Sequence, residues 1–462
     1  MMTKPRWIRK SFLLILVLAL ALTGSGCGQK KASSSASSEA EEKDLLLSTF
    51  RKVEAPSLPS VSAVQKDVSR TELPAKWDSR LAGRCPQPPD QKDLGTCWAF
   101  TALGAIEAKR LPAIVQPLSV DHLTAYNGYR LTPAQGGTSL MALAYLAGWK
   151  GPVSEEEDPY DDGMTNPDAK PVLHLRQARY LSNDRDAVKK AVLGDGAVES
   201  EMYADPSFLA GDAGSVFYDP DTFSYYYQGS ETANHEILIV GWDDSFAADN
   251  FAIKAPDDGA FICQNSWGTD FADGGYFYIS YYDSCILKRP LCFDRLDPIG
   301  TYDQIYQQDL LGHTANAGFG GPEAWGTCLY TAQSDQTLKA VSFYTTGRDT
   351  SFEIYTAEEP DSSFSKRIMQ AEGTRTYEGY YTVELARPVT LQKGERFAIL
   401  LKVDCPGSFK PLAVETDVEE AVSQRQMGTS FMSNDGKTWT DTVEQLNCSL
   451  CLKAFCLDSS SD

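Results

Sequence analysis

Apolar positions fall into three regimes along the chain. Phe12 to Leu22 is an almost unbroken apolar run behind Lys4, Arg6, Arg9 and Lys10. It is too short and wrongly flanked for an ordinary membrane span, so residues 1–26 read as an export signal. Between residues 73 and 297 helical and strand periods alternate. Trp98, Ala102, Ala105, Ile106 and Lys109 keep a 3.6-residue spacing, which predicts a helix from Cys97 to Arg110 with Thr96 as its N-cap. Ile237 to Val240 is a continuous apolar strand, and Ala260–Gln264 and Gly274–Ser280 read as two more. Beyond residue 298 the period drops to two, as in Leu338-Ala340-Ser342-Tyr344 and Tyr381-Val383-Leu385. Asn434-Asp435-Gly436-Lys437, between Phe431 and Trp439, is a hairpin signal. Residues 298–462 therefore read as an all-β unit, a sandwich.

Residues 27–72 join the first two regimes. Their Ser/Ala/Glu-rich start has no apolar period and predicts a disordered tether or short propeptide. The formal net charge of −21 excludes a nucleic-acid partner, which would need a basic face. An exported chain with 11 cysteines permits disulfides. Cys448, Cys451 and Cys456 have no histidine or fourth close cysteine to complete a zinc site, so buried thiols or one disulfide are expected there. No metal or cofactor is expected.

The signal ends L-T-G-S-G-C-G, which resembles the cleavage site of a bacterial lipoprotein, although Gly24 stands where an aliphatic residue is usual. The resemblance implies acylation of Cys27 and a membrane anchor on the extracellular face of the bacterial cell membrane. The alternative is ordinary cleavage and secretion, with Cys27 discarded or free.

The chemistry centres on Cys97. A cysteine in the first helical turn meets backbone N–H groups and the positive end of the helix dipole, both of which favour a thiolate. A thiolate also needs a cationic partner, and the chain has 4 histidines. His122 and His174 lie in polar, helix-like contexts, and His313 lies in a Gly/Ala/Asn-rich loop. His235 alone stands at the mouth of a buried strand, and Asn265 stands at the end of the next one.

Six pieces occur in one order: L-P-A-K-W-D-S-R at 73–80, Q-K-D-L-G-T-C-W-A-F at 91–100, Q-G-G at 135–137, D-P-Y at 158–160, N-H-E-I-L-I-V-G-W from Asn234, and Q-N-S-W-G-T from Gln264. Together they resemble the papain family of cysteine peptidases. The resemblance implies an α+β, two-lobe fold over residues 73–297, with a helical lobe and a β-barrel lobe. It implies Cys97 as nucleophile, His235 as base, Asn265 as the group orienting the ring, and Gln91 as oxyanion donor beside the Cys97 N–H. Trp267 would cover the His–Asn bond and Gly95 would leave room for the peptide. Gly136 and Gly137 would pair with the substrate backbone. Glu201 would face the pocket for the second residue upstream of the cleaved bond and favour basic side chains. Two positions depart from the family: Leu94 replaces a cysteine, so the usual bracing disulfide is absent, and Thr96 replaces serine. Residues 298–462 are similar to the lectin-like domains that follow such peptidases on bacterial surfaces, which implies a carbohydrate or cell-wall ligand. The activity implied is hydrolysis of a peptide or protein substrate through an acyl-enzyme, with transpeptidation as a variant. The alternative is a surface binding or adhesion protein whose peptidase fold is incidental.

Overall fold

The computed structural model describes residues 73–459 apart from 211–213 and 359, together with the backbone of a short strand, Leu47–Thr49. The expected signal, Cys27 and most of the expected tether lie outside the described residues. Helix α1 spans Cys97–Arg110, as its periodicity predicts. Its N-cap differs from expectation. The Thr96 side chain caps nothing and is paired instead with the Tyr160 hydroxyl at 2.7 Å. Helix α2 is Ser139–Ala147, and both helices pack on a sheet built from β1 (Leu173–Tyr180), β2 (Val198–Met202), β3 (His235–Asp243), β4 (Ala260–Gln264), β5 (Tyr276–Ser280) and β6 (Leu291–Pro298).

Strand β3 shows why its sequence is apolar without alternation. Leu238 and Val240 face the core shared with α1, while Ile237 and Ile239 face a second core with Val198, Phe261 and Phe277. A strand covered on both faces has no solvent side to mark with polar residues. The insert at 205–232 folds onto this second core through Tyr225, and Tyr226 and Tyr227 are also buried.

The C-terminal part is all β. A six-stranded sheet runs through Ile368–Arg375, Thr350–Glu358, Arg396–Asp404, Glu323–Thr331, Ser430–Ser433 and Thr440–Asp441. The predicted hairpin closes it: Met432 pairs with Thr440, and Gly436 takes a φ of 66° at the turn. The second layer differs from a free-standing sandwich. Strand β7 (Gly379–Leu391) pairs antiparallel with β1 of the preceding domain, Tyr380 opposite Ala178. One 13-stranded sheet thus runs through both domains. A separate four-stranded sheet takes Leu47–Thr49 as its edge, paired with Ala315–Ala317. Part of the expected tether is therefore strand.

Each of the 10 described cysteines is a free thiol, eight of them buried. His174 corrects its helix-like reading: it lies in β1, stacked on Trp149 with ring centroids 3.8 Å apart. His122, His174 and His313 are all buried.

Candidate active site

Two segments are clamped together to build the site. Gln91 N donates to Ser266 O at 2.8 Å, and Gly268 N donates to Pro89 O at 2.8 Å. The Gln91 side chain is bound at both ends: Nε2 donates to Leu94 O at 2.6 Å and Oε1 accepts from Ser266 Oγ at 2.5 Å. An amide nitrogen carries two hydrogens, so one remains for another acceptor. Tyr160, from the D-P-Y piece, ties the loop to the helix start by donating to Gln91 O at 3.0 Å.

Cys97 opens α1 and is partly exposed. Burial of the sulfur pushes the thiol up to about 12, and the Glu236 carboxyl adds to this. Backbone N–H groups of Glu236, Trp98 and Cys97 pull the other way. The isolated thiol thus stands above its ordinary range, opposite to the expectation from the helix terminus, because desolvation outweighs the N–H groups. Glu236 directly follows His235, so its N–H brings the start of β3 to the sulfur. No hydrogen bond joins the Cys97 thiol to His235 among the described residues.

His235 is buried, and its Nε2 lies 2.8 Å from Asn265 Oδ1. The same Oδ1 accepts from Ser266 N at 2.8 Å, which fixes the amide orientation. An oxygen there can only accept, so His235 Nε2 carries the hydrogen and Nδ1 holds the lone pair. Burial lowers the ring to about 4 and the bond to Asn265 opposes that shift. Trp267 stacks on the imidazole, centroids 5.0 Å apart, and is itself held by Phe208 and Phe271.

The glycines have structural reasons of their own. Gly136 has a φ of 86°, where a side chain is strained. A Cβ on Gly137 would lie 2.3 Å from the Trp98 indole, and one on Gly95 would lie 3.0 Å from Gly136. Glu201 is partly exposed at the open end of β2, opposite Glu236 in the register. Sequence reasoning did not single out Glu199, Glu236, Ser266 or Tyr160. Glu236 was visible beside His235, but its neighbours depend on strand pairing.

Aromatic side chains of the C-terminal domain that could stack on a sugar are packed or occupied. Arg367 lies 4.5 Å above the Trp325 ring, Tyr330 donates to Leu452 O, and Trp439 donates to Ser363 O.

Comparison with known proteins agrees with this architecture. Residues 73–292 match the model of the papain family cysteine proteases, and residues 305–456 match a lectin-like domain. Cathepsin S of Bos taurus is 29% identical over 242 residues, covering 50% of this chain and 67% of the relative. Cathepsin K of Gallus gallus is 30% identical over 218 residues, covering 46% and 60%. The chain spans about two thirds or less of the length of the relatives it matches. Among solved structures, the cysteine protease and lectin-like domains of Cwp84, described as a surface layer associated protein of Clostridium difficile, superpose with a TM-score of 0.73 at 24% identity, covering 85% of this chain and 90% of that one. A clostridial Cwp84 variant after propeptide cleavage gives 0.72 at 25%, covering 83% and 99%. Residues 73–292 thus form a papain family cysteine protease domain, followed by a lectin-like domain at 305–456.

Proposed function

We propose that this protein hydrolyses peptide bonds at the bacterial cell surface, with Cys97, His235 and Asn265 acting as a triad. The observation that carries this reading is the His235–Asn265 bond, whose geometry leaves Nδ1 as the free base. Burial favours the neutral form of each partner taken alone. Moving one proton from Cys97 Sγ to His235 Nδ1 creates two opposite charges at once, and each then stabilises the other. The thiolate attacks the scissile carbonyl, and the imidazolium returns its proton to the leaving amine. Water, deprotonated by the same Nδ1, then releases the acyl group. Gln91 Nε2 and the Cys97 N–H stabilise the oxyanion, each worth about 3 kcal/mol. Trp267 keeps water from the His–Asn bond, and Gly136 and Gly137 present backbone to the peptide.

Surface placement rests on the export signal, the Cys27 site and the surface-layer association stated for Cwp84. Acylated Cys27 anchors the chain to the membrane, and the lectin-like domain holds it to carbohydrate or cell wall. The test pairs the full mature chain with its Cys97→Ala variant. Each is treated with a thiol-directed peptidyl epoxide and then assayed on a fluorogenic peptide library. One adduct on Cys97, with turnover lost in the variant, is the expected result. Turnover surviving in Cys97→Ala refutes the assignment.

A further inference from the structure

The C-terminal domain holds a cleft of about 920 Å³ that lies outside the peptidase site. Three pieces of chain wall it: the strand Gln304–Tyr306 with the residues that follow to 310, the end of the strand Glu323–Thr331, and the loop 423–429. Gln308 clamps these pieces together. Its Nε2 donates to Leu329 O at 3.3 Å and to Thr429 O at 3.0 Å, and its Oε1 accepts from Thr429 Oγ1 at 3.0 Å. Gln307 ties the same segment to the peptidase domain by donating to Gly148 O at 3.1 Å. Arg130 N of that domain donates to Glu420 O at 2.9 Å, just ahead of the loop. The walls are therefore held before any ligand arrives.

The lining is biased in charge and in hydrogen bonding. On a chain of formal net charge −21 it contains no Asp or Glu and one charged side chain, Arg425. That side chain is 6% exposed, and its Nη2 donates to Asp417 Oδ1 at 2.7 Å. Its Nη1 is buried and has no acceptor. Buried N–H groups are nearly always paired, so this one marks a place for an acceptor. Tyr306 Oη accepts from Gln333 N at 2.9 Å and from Gln336 Nε2 at 2.5 Å, and among the described residues nothing takes its own hydrogen. Gln333, Gln424 and Gln426 are exposed along the rim, and no hydrogen bond holds their side-chain amides among the described residues. Each such amide offers both a donor and an acceptor.

We propose that this cleft binds a saccharide carrying a carboxylate, with Arg425 taking the carboxylate and Tyr306 and the rim glutamines taking ring hydroxyls. The inference rests on the carbohydrate-binding reading of this domain and adds the place, the residues and the charge of the ligand. Arg425 borders the cleft, so a turn of its guanidinium brings Nη1 to a ligand there, and five N–H groups leave a donor for Asp417. Carboxylates suit that planar fork better than single hydroxyls do. A neutral saccharide leaves Nη1 without a charged acceptor and binds less tightly. Ile305, Leu310 and Leu329 supply apolar surface for the C–H faces of the sugar rings. Recognition is by hydrogen bonds rather than stacking, because the Tyr330 ring packs on Phe397 and its hydroxyl is committed to Leu452 O. An acidic peptide satisfies Arg425 but brings few hydroxyls for the amides.

The test uses the full mature chain with Cys97→Ala, which keeps it intact during titration. The probes are oligogalacturonates, hyaluronan oligosaccharides and peptidoglycan glycan strands with free muramyl carboxylates, each beside its carboxyl-reduced counterpart, and a polyglutamate peptide. Calorimetric titration is repeated with Arg425→Gln and with Gln424→Ala/Gln426→Ala, alongside the thermal midpoint. The expected result is binding of at least one acidic saccharide, at least about 10-fold tighter than its reduced form and than polyglutamate. Arg425→Gln removes that preference. Gln424→Ala/Gln426→Ala weakens binding at least about 5-fold with the thermal midpoint unmoved, because both side chains are exposed. Added salt weakens the acidic ligand more than the reduced one. Acidic and reduced forms bound alike, or polyglutamate bound as tightly as the saccharides, overturns the proposal. Saccharide binding untouched by every variant also overturns it and leaves the carbohydrate reading of the domain standing. Failure of all the saccharides to bind refutes that reading together with the proposal.

Discussion

Asn265→Ala isolates the group that sets the histidine tautomer. The wild-type amide oxygen takes two hydrogen bonds, from His235 Nε2 and Ser266 N, each 2.8 Å long. The first strengthens when His235 becomes imidazolium, so its loss penalises the charged form. A hydrogen bond to a charged group contributes about 1.5–3 kcal/mol, a factor of about 10–150 in kcat/KM. The sign is set by the ring. Asn265 raises the His235 value against burial, so its removal lowers a value already near 4. Transfer of the Cys97 proton then becomes less favourable, and alkylation of Cys97 by iodoacetamide slows most at mildly acidic pH. The assay compares kcat/KM with the alkylation rate across pH, alongside the thermal midpoint. Loss of the bond at Ser266 N lowers stability by about 1 kcal/mol without touching the pH profile. A kcat/KM within threefold of wild type, with an unaltered alkylation profile, refutes the reasoning.

Four further outcomes follow. Gly137→Ala places a Cβ 2.3 Å from the buried Trp98 indole, so the thermal midpoint corresponds to a loss of about 1–3 kcal/mol, partly recovered by Trp98→Leu in the same background. Lys453→Met leaves the buried Asp309 carboxylate without its ion pair, now 2.6 Å long, and costs about 3–5 kcal/mol in denaturant unfolding, whereas Lys453→Met with Asp309→Leu costs less. Glu107 is raised to about 7 by burial, above its unfolded value, so stability falls as pH rises from about 4.5 to 7 and is level beyond it; Glu107→Gln flattens that slope in pH-dependent melts. The described cysteines are unpaired, so dithiothreitol leaves the thermal midpoint of residues 73–459 unchanged.

Residue order and side-chain chemistry were enough for much of this molecule. The bounds of α1 and of the strand ending before Asn265 were legible, and the apolar run Ile237–Val240 marked the middle of a strand that extends from His235 to Asp243, apolar without alternation because both of its faces are buried. The Asn-Asp-Gly-Lys turn followed from glycine's access to positive φ. The groups that meet at the site were legible because short, ordered motifs carry them. The Thr96 cap was misjudged because Tyr160, far along the chain, competes for its hydroxyl. His174 was misjudged because a polar segment can be a strand whose ring is covered by Trp149 from another element.

The rest was decided by tertiary structure. No local signal says that β7 completes the sheet of the peptidase domain, since strand pairing partners are chosen by shape and exposed edges across long loops. The thiol's upward shift reflects desolvation, which exists only once the cleft is assembled. The placement of Glu201 opposite Glu236 needs the register of β2 on β3, where a slip of one residue would send Glu199 and Glu201 to the opposite face. Sequence by itself singled out the candidate catalytic groups, because chemistry resides in residue type. Only the folded chain determined their charge states and the carboxyls beside them, because both depend on which atoms exclude water.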